Sequence, residues 1–260
     1  MSPDGREVLV TGGNGGIGRP VVGRLLDAGA HVSVADRCRS DVDPRARFVP
    51  ADLADAGEVR ALGESVRSLA PDIVVHLAGL NAFCPFAAMD HARIDTLMQV
   101  NLVAPMQLTC AVLPAMIERG SGQVVTVGSV VGHIGMPYFA AYAASKAGIA
   151  RFSEALHREL AGTGVVVTSI APRAVATAMN AGAIGEFNRA TGAREDPPER
   201  VAAVIVDAIV RDLPRVTIGL PERFFVRMNS LLPSLVDRAL VRSRAVAEEI
   251  LHARSTPPAR

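Results

Sequence analysis

The chain has 260 residues, a 49% share of hydrophobic residues and a formal net charge of +1 at pH 7. This length and apolar content predict one α/β domain with a sizeable core, and the balanced charge argues against a nucleic-acid surface or an acidic partner. The three cysteines lack metal-ligand spacing, which predicts reduced thiols, a cytoplasmic protein and no metal site. We also expect no signal peptide and no apolar stretch long enough to span a bilayer.

The first motif is a strand, a glycine-rich turn and a helix. Residues 7–11 form an apolar run that leads directly into residues 12–18, after which apolar residues recur at helical spacing. Glycines permit a tight turn, let the backbone approach a pyrophosphate and direct the positive end of the helix at it. The segment therefore predicts a dinucleotide site, with the candidate ligands Gly12, Asn14, Gly15, Gly16, Ile17 and Gly18.

An acidic residue ends the second predicted strand. Residues 31–35 run into Asp36, which follows the last glycine of the turn at the distance where a carboxylate would hold the adenosine ribose hydroxyls. The alternative is a solvated residue at the start of a turn. A carboxylate would repel the extra phosphate of NADP, whereas the neighbouring Arg37 would attract it. Because Asp36 comes first, we predict NAD as the cofactor and NADP as the less favoured one.

Further strands are predicted at residues 47–49, 73–77, 124–127, 165–170 and 216–218. Their β-branched runs are typical of parallel strands covered on both faces, so we predict a doubly wound, Rossmann-type parallel sheet in a three-layer α/β/α fold. Residues 1–220 would form the dinucleotide-binding and catalytic domain, and residues 221–260 an amphipathic helical extension of it. Ligands of such sheets lie at the carboxyl ends of the strands.

A tyrosine and a lysine provide the candidate chemistry. Lys146 is the only lysine among the 27 lysine and arginine residues, and Tyr142 precedes it by four positions, so both would share one helix face. We expect the ammonium to lower the pKa of the phenol toward working pH. Ser129 follows an apolar strand and could fix the reacting oxygen. The alternatives are a surface lysine behind a buried tyrosine and a serine that caps a turn. Tyr138 has no lysine four residues on and is predicted to be a wall of the substrate pocket.

The ordered set of motifs resembles the short-chain dehydrogenase/reductase family in its compact form. The resemblance covers most of residues 6–220 and implies an oxidoreductase that acts on alcohols and ketones. It makes Tyr142 the acid/base, Lys146 its charge partner and a ligand of the nicotinamide ribose, and Ser129 the group that holds the reacting oxygen. Asn101 would support a water relay to Lys146. The resemblance also implies a homodimer or homotetramer, formed through helices around residues 90–119 and 142–161.

The same resemblance assigns cofactor contacts along the carboxyl edge of the sheet. Thr177 would touch the carboxamide end of the cofactor, and two residues would flank its adenine. The other positions that match the family's motifs follow the fourth and sixth predicted strands. The full set of these positions is Asp52, Leu53, Ala78, Gly79, Pro172, Val175 and Thr177.

Two positions depart from the family pattern. His76 and Leu77 stand where many relatives have two asparagines, so the backbone before Ala78 would be supported differently. Arg173 follows Pro172 in place of the common glycine, and we expect it either to contact the pyrophosphate or to point outward.

The predicted substrate is hydrophobic. Residues 175–191 would form a mobile loop that closes over it, and their few charges favour a steroid-like, fatty acyl or polyketide alcohol or ketone. Residues 220–244 carry five arginines against two acidic residues, which is compatible with an anionic membrane. We favour a lid or a subunit interface over that membrane contact. The alternative functions are a sugar-nucleotide epimerase or dehydratase and a non-catalytic NAD-binding scaffold.

Overall fold

A computed structural model describes residues 1–39 and 41–255. Seven parallel strands form one sheet in the order β3-β2-β1-β4-β5-β6-β7. The predicted doubly wound parallel sheet is confirmed. The strands are β1 (Glu7–Thr11), β2 (His31–Asp36), β3 (Arg47–Pro50), β4 (Ile73–His76), β5 (Gly122–Val127), β6 (Val165–Ala171) and β7 (Arg215–Thr217).

Helices connect the strands and cover both faces of the sheet. On the described residues they are α1 (Gly18–Asp27), α2 (Ala56–Leu69), α3 (His91–Met98), α4 (Ala104–Glu118), α5 (Ala140–Glu159), α6 (Ala183–Thr191), α7 (Pro198–Val210), α8 (Leu220–Leu231) and α9 (Pro233–Ser255). The last two lie beyond β7, where a helical extension over residues 221–260 is predicted; residues 256–260 of that prediction lie outside the described residues.

Each face of the sheet has its own apolar core, because successive side chains of a strand point to opposite sides. Val8 and Val10 of β1 pack with the residues of α1 and α7, whereas Leu9 between them packs with those of α2 and α4. All three side chains are fully buried. The uninterrupted apolar runs that predicted parallel strands therefore serve two cores at once.

The strand order reverses beside β1, which pairs with β2 on one side and with β4 on the other. The connections from β1 and β4 leave in opposite directions at this point and open a crevice at the carboxyl edge. Gly12 follows β1 directly, and Ala78 comes two residues after the end of β4. The fold thus places the glycine turn and the end of β4 against each other.

The run His91–Glu118 is continuous, since α3, a π-helical turn at Gln99–Val103 and α4 follow one another without a break. By length and composition this run could cross a membrane, so the expectation that no apolar stretch is long enough was wrong. Half of its most apolar window is buried inside the fold. Leu108 and Met116 are completely buried against the sheet. The run is therefore placed as a core helix.

The segment predicted as a mobile loop is mostly helical. After a short 3₁₀ turn at Ala178–Asn180, α6 occupies Ala183–Thr191. Phe187 of α6 packs with Ala247 and Ile250 of α9, and all three are buried. The prediction of a loop was wrong for residues 183–191, because apolar residues at this spacing can also form the buried face of a helix.

Candidate active site

The glycine turn is shaped by contacts that leave no room for a side chain. Gly12 has φ +70°, and a Cβ there would lie 2.6 Å from the backbone nitrogen of Ala78. A Cβ at Gly18 would overlap the carbonyl oxygen of Gly12, and one at Gly16 would lie 2.7 Å from Cγ2 of Thr177. The turn therefore lies tight against β4 and Thr177, and α1 begins at the crevice with its positive end.

A cavity of about 370 Å³ lies beside this turn on the β2 side. Asp36 is fixed at its edge, because Oδ2 accepts a hydrogen bond from the Asn14 amide at 3.0 Å and Oδ1 accepts one from the Arg37 amide at 2.8 Å. Among the described residues, the buried Oδ1 of Asn14 has no hydrogen-bond partner. The predicted residues that line this cavity are Gly12, Asn14, Gly15, Asp36, Arg37, Asp52, Leu53, Ala78 and Gly79.

This cavity fits the adenosine half of a dinucleotide. The glycine contacts form a cradle that a Cβ would fill, and the Asn14 oxygen is an acceptor for which residues 1–39 and 41–255 supply no donor. The Asp36 carboxylate keeps further lone pairs for ribose hydroxyls, since each of its bonds to the backbone uses only one.

A second cavity, of about 320 Å³, continues from the glycine turn toward α5. Predicted residues from six segments meet around it, including the serine, the tyrosine and the lysine. Asn101 lies behind this wall and does not line it. The predicted lining residues are Gly12, Gly15, Gly16, Ile17, Gly18, Gly79, Ser129, Tyr142, Lys146, Pro172, Val175 and Thr177.

Tyr142, Lys146 and Ser129 converge on one wall of this cavity. The first two lie on one face of α5, and Ser129 comes shortly after the end of β5; all three are at most 9% exposed. The Ser129 side chain acts on the Tyr142 phenol, whose pKa it lowers, and Ser129 Oγ accepts a hydrogen bond from the Val131 amide at 3.2 Å. Lys146 Nζ donates to the Val127 carbonyl at 3.1 Å and lies 5.9 Å from the centre of the Tyr142 ring. The spacing of four residues thus brings the two heads together.

The pKa of Tyr142 does not shift in the direction expected from the sequence. Burial raises the pKa of the phenol above its usual value, and the Ser129 side chain opposes this effect. Burial also lowers the pKa of Lys146 to about 8. The expectation was wrong because it weighed the charge of the ammonium and left out desolvation, which penalises the ionised form of both groups.

Asn101 holds the backbone beside Lys146. It lies in the π-helical turn, a geometry that is frequent at functional sites. Its Oδ1 accepts from the Leu80 amide at 2.7 Å, and its Nδ2 donates to the Leu80 carbonyl and to the Ser145 hydroxyl, each at 2.9 Å. No sequence pattern predicted this π-helical turn. The water relay through Asn101 stays a prediction.

Arg173 makes an ion-pair network and does not point outward, since its side chain is 11% exposed. Its contact with the pyrophosphate stays a prediction. Its guanidinium binds Asp196 with two hydrogen bonds, of 2.9 and 2.8 Å, and approaches Glu222 of α8 at 3.4 Å. Asp196 is 1% exposed and also accepts from Arg200 at 3.0 Å. The arginine therefore connects α8 to the end of β6. No local pattern predicts this network, because both acidic partners are distant from Arg173 along the chain.

His76 is a core residue at the end of β4. It is 3% exposed, its Nε2 is 3.0 Å from the Thr109 hydroxyl, and burial lowers its pKa to about 4. The side chain thus lies between β4 and α4 and is part of the packing of the sheet against that helix. It does not line the crevice.

The outer part of the cavity that contains Tyr142 is aromatic and apolar. Phe83 packs against Phe139 and Phe187, with ring centroids 4.7 and 5.2 Å apart. Tyr138 joins the edge of this cluster, but its hydroxyl binds Glu248 of α9 at 2.8 Å and it does not line the cavity, so the prediction of a pocket wall was wrong for it. The sequence analysis also did not predict that α9 packs against this aromatic cluster, although its apolar residues 246, 247 and 250 have helical spacing.

Replacing Lys146 by methionine tests the burial of the ammonium. Because the pKa of Lys146 is lower in the folded chain than in the unfolded chain, the unfolded state binds more protons between about pH 8 and 10. As the pH rises through this range, the unfolding free energy of the wild type should therefore increase by ~2 kcal/mol relative to that of Lys146→Met. Urea unfolding at several pH values measures the difference. Parallel pH profiles of the two proteins would contradict the assigned burial.

Comparisons with known proteins agree with this geometry. The family model described as short chain dehydrogenase matches residues 6–186. A 3-oxoacyl-(acyl-carrier-protein) reductase, FabG of Vibrio cholerae, is 32% identical over 78% of this chain and 90% of its own, and the ketoacyl reductase HetN of Nostoc sp. is 28% identical over 90% and 88%.

A solved structure shows the same fold. The short-chain dehydrogenase from Burkholderia cenocepacia, in complex with NADP, superposes with a TM-score of 0.79 and 24% identity over 93% of this chain and 99% of its own. The glycine turn, the Ser129, Tyr142 and Lys146 group and the matched family model lead to one conclusion. The chain belongs to the short-chain dehydrogenase/reductase family, whose members act on alcohol and keto groups.

Proposed function

We propose that this oxidoreductase interconverts a hydrophobic secondary alcohol and its ketone, with NAD(H) as the cofactor and Tyr142 as the acid/base. One observation carries the proposal: Ser129, Tyr142 and Lys146 line the wall of one cavity that begins at the glycine turn. A reacting oxygen placed there could contact both hydroxyls, and the turn could hold the phosphates of a cofactor in the same crevice.

Tyr142 moves the proton. A bound nicotinamide supplies or accepts the hydride, which the side chains of the protein cannot do. In ketone reduction the phenol donates its proton to the carbonyl oxygen, and the Ser129 hydroxyl fixes that oxygen where negative charge develops. Because burial raises the pKa of Tyr142, the phenol is protonated at neutral pH, which suits the reductive direction.

Lys146 has donors left for a ligand. An ammonium carries three N–H groups, and within the described residues Lys146 gives one of them to the Val127 carbonyl. A Cβ at Gly79 would lie 3.3 Å from Nζ, so the ammonium faces the open side of that glycine. We assign the remaining donors to the ribose hydroxyls next to the nicotinamide.

The walls of the cavity support a hydrophobic substrate. Val131, Phe139, Met179 and Ile184 line the part beyond Tyr142, where most of the lining is apolar. The relatives FabG and HetN are named as reductases of 3-oxoacyl and ketoacyl compounds. These observations favour a fatty acyl, polyketide or steroid-like ketone over a sugar.

The subunit arrangement that we propose is a homodimer or homotetramer in the cytoplasm. Met106 and Ile117 support it, since these apolar residues of α4 are 40% and 42% exposed on the outer side of the domain. A large exposed apolar residue is common on any surface, but two on one helix are suited to packing against a second copy.

Turnover of ketones tests the function. With apolar ketones and reduced NAD, the absorbance of the nicotinamide should fall in the presence of the wild type. Ser129→Ala should lower kcat about 10²–10³-fold, because the developing oxyanion loses one donor. The control is Ser65→Ala on α2, whose hydroxyl donates to the Ala61 carbonyl at 3.1 Å. No turnover of any ketone or alcohol would favour the NAD-binding scaffold, and full activity of Ser129→Ala would refute the assigned role.

Replacing Asp36 by alanine tests the choice of cofactor. Without this carboxylate the extra phosphate of NADP is no longer repelled, and Arg37 remains to attract it. The ratio of kcat/KM with NADP to that with NAD should rise at least about tenfold. Asp27→Ala is the matched control, since it removes one exposed carboxylate that pairs with Arg45 away from the crevice. An unchanged ratio for Asp36→Ala would show that NAD is not selected by this residue.

A further inference from the structure

The helix α8 is amphipathic, but its apolar face points away from the protein. Two of its polar side chains face the protein: Glu222 pairs with Arg173, and Asn229 donates to the His133 carbonyl at 3.0 Å. Leu220, Phe224 and Leu231 recur at positions that share the opposite face and are 78%, 61% and 79% exposed. A surface helix normally buries its apolar stripe. This stripe is left for something outside the domain.

The exposed apolar surface continues past the end of α8. Leu232 and Leu235 at the start of α9 are 56% and 48% exposed. We call the surface formed by Leu220, Phe224, Leu231, Leu232 and Leu235 the outer apolar face. It contains five of the exposed large apolar residues found on the described chain, concentrated within sixteen positions. Such a concentration marks an interaction site.

Arginines surround the outer apolar face. Arg223, Arg227, Arg238 and Arg242 are all exposed, and no ion pair of the described residues includes any of them. The acidic residue Glu222 of α8 is turned inward to Arg173, so it does not neutralise them. Only Asp237 adds an exposed negative charge between positions 220 and 244. The rim is therefore cationic around an apolar centre.

We propose that the outer apolar face docks on an anionic lipid surface. Apolar side chains that enter the boundary between headgroups and acyl chains, together with arginines at the headgroup level, are what such binding requires. A second copy of the chain fits less well, because a twofold contact would place the arginine rim against itself without carboxylates to pair with it.

This docking brings the crevice close to the lipid. Arg173, which lines the same cavity as Tyr142 and Ser129, is the residue that binds Glu222 on the inner side of α8. The outer apolar face is thus separated from the candidate active site by the width of one helix. The inference does not depend on the proposed reaction, since lipid binding is measured without turnover.

Co-sedimentation of the full chain with vesicles tests the proposal. The wild type should bind vesicles made of equal parts phosphatidylcholine and phosphatidylglycerol, and bind phosphatidylcholine alone at least about tenfold less. Binding should weaken as salt is added, since salt screens the arginines. Arg223→Gln/Arg227→Gln should lower the partition coefficient about tenfold or more. Arg60→Gln/Arg67→Gln removes the same charge from exposed positions of α2 and should leave it unchanged.

A second variant separates the lipid from other occupants. Phe224→Asp should abolish vesicle binding, whereas Val210→Asp, at a 46% exposed position of α7, should not. The Phe224→Asp variant should keep the circular dichroism and the molar mass in solution of the wild type. A smaller mass for Phe224→Asp would mean that a second copy covers this face, and a wild type that fails to bind the anionic vesicles would equally overturn the proposal.

Discussion

The burial of one ammonium is the constraint on which the active site depends. Lys146 is 6% exposed, and burial lowers its pKa to about 8. Removing a charged group from water is unfavourable unless hydrogen bonds compensate, and the Val127 carbonyl provides one such bond among the described residues. The structure therefore gives up stability to keep this charge beside Tyr142. Perturbed ionisation of this kind is frequent at functional sites.

The same constraint explains the surroundings of the lysine. Gly79 has to lack a side chain so that the space in front of Nζ stays open, and Asn101 fixes the adjacent Leu80 backbone through both the oxygen and the nitrogen of its side-chain amide. The π-helical turn puts Asn101 in this position. The glycine turn on the opposite side obeys a similar rule, since Gly12 is pressed against Ala78. The crevice thus has its shape because glycines, which have no side chain, line it both beside Lys146 and at the glycine turn.

Local patterns predicted most of the fold and the members of the site. Strands of parallel sheets have uninterrupted apolar runs, and residues four apart on a helix share a face, so β1 and the pair Tyr142 and Lys146 could be found from spacing. Properties set by distant contacts could not. Arg173 binds Asp196 and Glu222, which lie 23 and 49 residues away. The pKa of Tyr142 depends on desolvation by the whole fold, which no short motif encodes.

The activity of Tyr142→Phe measures the central claim most directly. Reduced-nicotinamide absorbance would be followed with a ketone that the wild type reduces, and cofactor binding would be titrated separately by fluorescence. If the phenol is the proton donor, kcat falls about 10²–10⁴-fold while the affinity for the cofactor changes little. Turnover within a few fold of the wild type would contradict this account, because the proton would then reach the oxygen from another group.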